Sequence, residues 1–340
     1  MEVHCAGCAG CCMDWTALLD DHEMDQTRQH GRGRFADASA SADSESERRP
    51  PFDSDANFVP LTRNEVRAFL EKGMAAAMTP RFWHAHDEHE AVEIDGQQVA
   101  AIAGRPVFFV GLRKPPKPVA PFGRAEPTWL PTCVFLDPTT LQCRIHDDEQ
   151  FPAECGVYPA HNLELGHETE CERVEEAFGD DRLLDDQLSA NELGDGPLLG
   201  SQAVGEKLFC HPRPDDLAGI IKRLEVGTLR PEDRAECIAV ASASSPGTFA
   251  ISEHHYETGK ARAMETMTSA RGGDSADSTP DSKSWVGPAI DDWHEHYDTA
   301  AHDDGSAPSP DLAVTVEEDR GAPKTPGWVD GEGEVETGTE

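Results

Sequence analysis

Apolar positions repeat at regular intervals between residues 58 and 267, where the sequence predicts the folded core. Thr62 and Glu65 stand at capping-box spacing, and apolar residues then recur every three or four positions, which predicts a helix over residues 62–78. Residues 90–114 combine alternating positions with a continuous apolar run and predict strands joined by a turn. The core is therefore expected to begin with a helix followed by strands.

The second half of the core has the apolar period of helices. Helical spacing is found over residues 171–178, 182–193, 217–224, 231–243 and 253–267. Strands occupy a minor part of the pattern. The expected fold class is therefore α+β and mostly helical.

Two segments contain almost nothing to bury. Residues 31–57 are rich in Ser, Ala, Asp and Arg and are interpreted as a disordered linker, and residues 268–340 as a disordered acidic tail. The predicted organisation is an N-terminal cysteine segment over residues 1–30, the linker, a core domain over residues 58–267, and the tail.

The net charge of the chain limits the kinds of partner that it is expected to bind. Its 340 residues carry 65 acidic and 29 basic side chains, a formal net charge of -36. Such a surface repels nucleic acid and anionic membranes, since both require basic groups against their phosphates. A lysine-poor acidic surface suits a salt-rich cytoplasm, where repulsion is screened. The chain has no apolar run long enough to span a membrane and no secretory signal, so a cytoplasmic location is predicted.

Ten cysteines supply the candidate chemistry, and without an export signal they indicate metal-binding or redox thiols rather than disulfides. The first group, in the run CAGCAGCC, comprises Cys5, Cys8, Cys11 and Cys12. A Cys-x-x-Cys turn converges two sulfurs on one ion, and Gly7 and Gly10 tolerate the left-handed conformations that such turns use. Adjacent side chains rarely reach the same ion, so Cys11 or Cys12 is expected to serve a second metal, a bridging position or no metal.

The second group comprises Cys133, Cys143 and Cys155. Turn-forming residues over 137–140 predict a hairpin that carries Cys133 and Cys143 on its two arms. Cys155 follows in a short segment between two prolines. The two cysteine groups are expected to meet in the folded protein.

Together the two groups resemble the YkgJ-type cysteine-cluster family, described as a zinc- or iron-chelating domain with a CxxCxxCC signature. The positions that match its second half are Cys133, Phe135, Leu136, Cys143, Ile145, Pro152, Cys155, Tyr158 and Pro159. His146 stands where the family has an aromatic residue, Phe151 replaces an arginine, and Gly156 follows the last cysteine. The resemblance covers only the cysteine segments and implies that both groups ligate metal.

The nature of the metal stays open. Four thiolates make a tetrahedral Zn²⁺ site, whereas Cys-x2-Cys-x2-Cys also holds three irons of a [4Fe–4S] cluster. Seven cysteines exceed one four-ligand site and are one short of two, which makes Cys171 or His146 a candidate eighth ligand. The expected cofactor is Zn²⁺ or iron, including an iron–sulfur cluster. The expected core is a small cysteine-cluster domain braced by that metal.

Other chemistry-bearing residues have simpler explanations. Cys210 and Cys237 lie among apolar neighbours and are expected in the core. Two histidine groups lie in acidic segments without a metalloprotease motif and are expected to be solvated: His84, His86 and His89, and His294, His296 and His302. No nucleotide-binding or serine-nucleophile motif is present.

Three functions follow from these observations. The preferred one is a metal-binding protein whose partner is the metal ion itself, held structurally or as a store. The alternative is an iron–sulfur redox protein. A protein lysine N-methyltransferase is less favoured, because it rests on the resemblance to flagellin lysine-N-methylases and no S-adenosylmethionine loop accompanies it. The sequence identifies no substrate and no protein partner.

Overall fold

The structure, a computed structural model, describes residues 2–3, 7–19, 50–146, 148–164, 168–179, 181–185, 206–245, 248–269, 284–303 and 305–325. Within these residues 42% are helical and 19% are in strands. The helices are α1 (Arg63–Glu71), α2 (Ala153–Val157), α3 (Ala160–Glu164), α4 (Glu170–Phe178), α5 (Ile220–Glu225), α6 (Pro231–Ala243), α7 (Glu253–Ser269), α8 (Val286–His302) and α9 (Leu312–Val316). The strands are β1 (Glu2–Val3), β2 (Met78–Phe82), β3 (Ala91–Ile94), β4 (Gln97–Ile102), β5 (Arg105–Leu112), β6 (Pro116–Val119), β7 (Thr128–Pro131), β8 (Leu183–Asp185) and β9 (Phe209–Cys210).

A five-stranded antiparallel sheet lies at the centre of the fold, in the order β2–β5–β4–β3 with β9 also pairing β5. Strand β5 pairs with three others, and its apolar residues Val107, Phe108 and Val110 are buried. A strand that is covered on both faces has a continuous run of apolar residues in the sequence. That run is why the sequence predicted β5 correctly.

Two tight turns connect three consecutive strands. Asp95 and Gly96 join β3 to β4 with φ of 54° and 83°, and Ala103 and Gly104 join β4 to β5 with φ of 52° and 73°. Left-handed conformation at both central residues is typical of type I′ turns, whose twist matches that of paired strands. The prediction of strands over residues 90–114 is confirmed, but it recognised one turn where the chain has two.

Helix α1 is shorter than predicted. Its capping box is present, with the Glu65 amide donating to Thr62 Oγ1 at 3.2 Å and the Thr62 amide donating to the Glu65 carboxylate at 2.6 Å. The helix ends because Gly73 takes a φ of 70°, a left-handed conformation that stops helices. A 3-10 turn over Ala75–Ala77 then leads into β2. The predicted helix over residues 62–78 is therefore wrong in its last turns.

Helices α6 and α7 pack closely against each other, and α6 also packs on the sheet through β2, β5 and β9. Small residues on α6 permit this approach, and a Cβ on Gly259 of α7 would lie 2.5 Å from Ser242 Oγ. Ile238 and Val240 of α6 are fully buried. The helices predicted over residues 231–243 and 253–267 are confirmed.

A buried carboxylate links these two helices. Glu236 on α6 accepts hydrogen bonds from Tyr256 Oη at 2.7 Å and Lys260 Nζ at 2.6 Å on α7, and its carboxylate lies 3.1 Å from His211 Nε2. Burial alone would raise the pKa of Glu236, but these donors outweigh burial and lower it to about 2. The carboxylate therefore stays charged in the folded protein.

Residues 284–325 fold against the core. Helix α8 buries Val286, Ile290 and Trp293, which stand four and three positions apart on one face. The prediction of a disordered acidic tail is wrong for this segment, because a few large apolar side chains at helical spacing anchor it. Residues 326–340 lie outside the described part of the chain.

A buried ion-pair network holds that segment in place. The Glu317 carboxylate lies 2.6 Å from Lys117 Nζ and accepts hydrogen bonds from Arg144 Nε at 2.8 Å and Trp293 Nε1 at 2.9 Å. The side chains of Glu317, Lys117 and Arg144 have 0% exposure. Charges removed from water in this way persist only with a full set of partners.

The end of the predicted linker also belongs to the fold. Phe52 is buried, and the Asp53 carboxylate pairs with the Arg81 guanidinium, which stacks on the Phe58 ring at 4.2 Å. The prediction of a disordered linker over residues 31–57 is therefore wrong from residue 50 onward. Residues 21–49 lie outside the described part.

A proline-rich stretch, residues 116–131, forms a hairpin directly before the second cysteine group. Strand β6 pairs with β7 in the register Lys117↔Leu130 and Val119↔Thr128. Prolines occupy every second position of β6, at Pro116 and Pro118. Lys117 and Val119 therefore keep the backbone N–H groups that strand pairing needs.

The expected fold class is corrected by these findings. The described core is a mixture of helices and antiparallel sheets rather than mostly helical, and it is not a small cysteine domain. Within it no group of side chains is arranged to hold a metal ion, so it is closed by apolar packing and buried ion pairs, not by a metal brace. The helix predicted over residues 182–193 is also wrong at its start, where β8 pairs with β1.

Candidate thiol site

The N-terminal cysteine run forms a tight turn against α4. Gly7 and Ala9 are left-handed, with φ of 66° and 52°, and a 3-10 turn over Gly10–Cys12 follows. The turn conformation predicted for Gly7 is confirmed. Gly10 is needed for space instead, because a Cβ there would lie 2.7 Å from Cγ2 of Val174 on α4.

Backbone hydrogen bonds join this turn to the second cysteine group. The Cys133 amide donates to the Cys12 carbonyl at 2.7 Å, and the Asp14 amide donates to the Pro131 carbonyl at 2.8 Å. Asn57 Nδ2 donates to two carbonyls of the N-terminal turn, each at 3.0 Å. The two cysteine groups, distant in the sequence, therefore lie side by side.

The predicted hairpin returns Cys143 toward Cys133. Asp137 Oδ1 accepts from the amides of the next turn at 2.9 and 3.4 Å, and Leu136 forms an antiparallel bridge with Cys143. The Leu136 amide donates to the Cys133 carbonyl at 2.9 Å. The feature is a compact turn closed by one bridge, without extended strands.

Cys155 reaches the same region from helix α2. The amide of Ala153 donates to Glu65 Oε1 at 2.7 Å, which docks the start of α2 on the start of α1. Glu154 pairs with Lys207 Nζ at 2.5 Å on the outer side. These contacts on either side determine the position of Cys155.

Four thiols from three segments influence one another electrostatically. Burial raises the pKa of Cys133, Cys143 and Cys155, and that of Cys143 reaches about 12. Beyond burial, Cys11 raises the pKa of all three, and Cys133 and Cys143 both raise that of Cys155. The thiols of Cys11, Cys133, Cys143 and Cys155 therefore lie in one neighbourhood, where the charge of one can act on another.

Cys12 and Cys8 both border this group, because Cys11 raises the pKa of each. The Sγ atoms of Cys11 and Cys12 are 3.8 Å apart and share a hydrogen bond. This hydrogen bond is the largest cause that raises the pKa of Cys12, and burial and the charges of Cys11 and Cys133 raise it further. Burial raises the pKa of Cys8, a hydrogen bond from the backbone of Gly10 opposes this rise, and the charge of Cys11 adds to it. Cys5 lies outside the described residues.

Two lysines supply positive charge that the sequence analysis did not recognise. Lys114 Nζ donates to the carbonyls of Ala56 and Asn57 at 2.7 and 2.8 Å, and both Lys114 and Lys117 oppose the rise in the pKa of Cys133. The chain has only 8 lysines, and two of them precede the second cysteine group by less than twenty residues. The position of these lysines in the sequence, close before the second cysteine group, was the signal that could have indicated their role.

The thiols have the right chemistry for zinc or iron but are not assembled into a ligand shell. Among the described residues, no three His, Cys, Asp or Glu side chains are arranged to hold a metal ion. The Sγ atoms of Cys11 and Cys12 are 3.8 Å apart in a thiol–thiol hydrogen bond, in which at least one of the two thiols keeps its proton. The remaining thiols would have to approach and lose protons before an ion is held.

The other candidates of the sequence analysis lie elsewhere. His146 is exposed, with its ring 4.9 Å from that of Phe151, and Cys171 lies half-buried on α4. Cys237 is fully buried in α6, as expected of a core residue, whereas Cys210 in β9 is only half-buried. The nine cysteines in the described ranges are thiols rather than disulfides.

The chain belongs to a family of unknown function, DUF7531, whose model matches residues 1–330. That match spans both cysteine groups and the C-terminal segment. No curated protein and no solved structure matches the chain. In the part of the chain that the structure describes, no helix is sufficiently long and apolar to cross a membrane.

Proposed function

We propose that this protein binds a thiophilic metal ion, zinc or iron, through Cys5, Cys8, Cys11, Cys12, Cys133, Cys143 and Cys155. The observation that carries the proposal is the convergence of the N-terminal turn, the 133–143 turn and helix α2: the Cys133 amide donates to the Cys12 carbonyl at 2.7 Å, and the charges of Cys133 and Cys11 act on Cys155. Buried apolar cysteines have no reason to gather from three segments. The likeness of their spacing to the YkgJ-type family supports the same choice of ligands.

The ligands of one ion in this proposal are Cys11, Cys133, Cys143 and Cys155, which make a complete tetrahedral thiolate set. Lys114 would offset part of the negative charge that four thiolates bring, whereas the charge of Lys117 is already paired with Glu317. Because apolar packing and buried ion pairs hold the described core together, the ion is expected to be cargo or cofactor rather than a requirement for folding. Reduced thiols of this kind belong in the cytoplasm, which is the location we propose.

An iron–sulfur redox centre is the second candidate. The observation that favours it is the number of thiols, because Cys12 adds a fifth beside a site where zinc takes four. Protein purified without oxygen would then be brown and contain acid-labile sulfide, whereas the zinc protein is colourless.

The test is metal stoichiometry on chelator-treated protein titrated with Zn²⁺ and with Co²⁺ as a coloured substitute. We expect at least one ion per chain, with the charge-transfer absorption of thiolate–Co²⁺ bonds. Cys133→Ser should lower the stoichiometry, whereas the control Cys210→Ser, in β9, should leave it unchanged. Equal stoichiometry in the two variants, or no thiolate absorption in the parent protein, would refute the proposal.

A further inference from the structure

Helix α2, which carries Cys155, has few means of holding its own position. None of its five residues is buried, and Pro152 at its N-terminus provides no side-chain cap. Helices shorter than about 12–15 residues are at best marginally stable by themselves in water. The position of Cys155 therefore depends on the contacts that neighbouring elements make with α2.

One of these contacts comes from Glu65 of α1, whose carboxylate serves two helices. Its Oε2 accepts hydrogen bonds from the Thr62 amide at 2.6 Å and from Thr62 Oγ1 at 2.8 Å, within the cap of α1. Its Oε1 accepts the Ala153 amide at 2.7 Å. Ala153 is the first residue of α2, where an amide has no partner within its own helix. Glu65 thus supplies, from another helix, the N-terminal cap that α2 lacks.

Cys155 lies in the turn that Glu65 holds. Its amide donates to the Pro152 carbonyl at 2.9 Å, so Pro152, Ala153 and Cys155 belong to one hydrogen-bonded turn. A shift of the Ala153 amide would therefore move the Cys155 thiol with it. The ion pair of Glu154 with Lys207 lies on the outer side of α2 and restrains a different face of the helix.

We propose that Glu65 is a positioning residue for Cys155, an inference that rests on the proposed metal site. A thiolate bonds Zn²⁺ at about 2.3 Å, so a ligand on a poorly fixed segment must be ordered when the ion binds. That ordering opposes binding, and a contact that orders the segment beforehand favours it. Replacing a residue that holds a ligand without touching the metal typically lowers metal affinity about 10–100-fold.

The experiment measures the affinity of the reduced, chelator-treated full chain for Co²⁺, followed by thiolate absorption in competition with a chelator. Glu65→Ala removes the acceptor of the hydrogen bond. Ala153→Pro removes the donor and leaves the carboxylate in place. Proline is favoured at the first position of a helix, and Pro152 already has the extended ψ, 136°, that a following proline requires. Each variant should weaken Co²⁺ binding about 10–100-fold.

The control is Thr62→Ala, which removes the side-chain cap of α1 but keeps the Glu65 carboxylate. This variant should melt at a lower temperature than the parent and bind Co²⁺ as the parent does. A double-mutant cycle then tests whether Glu65 acts through Cys155. Cys155→Ser should weaken binding by itself, and adding Glu65→Ala to it should have no further effect on the affinity.

Two outcomes would overturn the positioning role even if the parent binds Co²⁺ through thiolates. Thr62→Ala could weaken binding as much as Glu65→Ala, or Glu65→Ala could have the same effect with and without Cys155. If Glu65→Ala does not fold, Ala153→Pro carries the test, and parent-like affinity in it would refute the inference. Absence of thiolate absorption in the parent would instead refute the proposed function, and the inference with it.

Discussion

Replacing Glu317 by Gln is the perturbation that most directly tests how the C-terminal segment is held. The carboxylate lies between Lys117 at 2.6 Å and Arg144 at 2.8 Å, and all three side chains have 0% exposure. A glutamine keeps one acceptor oxygen but turns an amide donor toward one of the two cations. Breaking a buried pair by removing one partner costs about 3–5 kcal/mol, and we expect a loss in that range.

The assay is urea unfolding at neutral pH followed by tryptophan fluorescence, which reports on the buried Trp293. The matched control is Glu318→Gln, the same change at the next residue. Glu318 is 28% exposed and lies 3.5 Å from Arg144, so its loss should cost no more than about 1 kcal/mol. If the two variants unfold at the same urea concentration, the buried network does not carry the stability that we ascribe to it.

Two further predictions concern the core and the cysteine turn. Glu236→Gln should lower the free energy of unfolding at pH 7 by about 3 kcal/mol, since the carboxylate pKa falls from 4.5 to about 2 on folding. Because folding lowers the pKa of Glu236, its carboxylate stabilises the fold above the unfolded pKa and loses this effect as the pH falls. The difference in unfolding free energy between parent and variant should therefore shrink by about 2 kcal/mol from pH 7 to pH 3. A difference independent of pH would contradict this. Gly10→Ala should destabilise the protein by about 1–3 kcal/mol through the contact with Val174, whereas Gly156→Ala, whose Cβ would lie 3.7 Å from Phe151, should be neutral or slightly stabilising in thermal melts. Equal melting temperatures for those two variants would show that α4 moves to accommodate the added carbon.

The sequence pattern predicted those elements whose local signals agree with their tertiary setting. The capping box of α1, the apolar run of β5 and the apolar faces of α6 and α7 were all legible. Strand β2 was not, because Ala77 and Met78 continue the helical spacing and only the left-handed Gly73 shows that the helix has ended. Whether a glycine takes that conformation depends on what packs beyond it.

Acidic composition concealed the C-terminal segment for a different reason. Val286, Ile290 and Trp293 have helical spacing, but they stand among so many acidic residues that the segment resembles a solvated tail. Glu317 in particular is indistinguishable from its acidic neighbours in the sequence. Its burial depends on Lys117 and Arg144, which lie far away in the chain.

Separation in the sequence also explains which features of the thiol site could be predicted and which could not. The spacing of the cysteines indicated that the two groups meet, and the backbone contact between Cys12 and Cys133 is their meeting point. Which thiols lie near enough to act on one another follows from packing that spacing does not encode. The contribution of Lys114 was missed because its charge reaches Cys133 through the fold.

The late position of Glu317 also has a consequence during synthesis of the protein. Arg144 is separated from this carboxylate by 173 residues, so at roughly 5–20 residues per second the ribosome needs about 9–35 s to supply its partner. Until then Lys117 and Arg144 remain hydrated, and the turn between Cys133 and Cys143 lacks the support beneath it. The nascent chain therefore presents these cysteines to the cell before its own last helices cover the region around them.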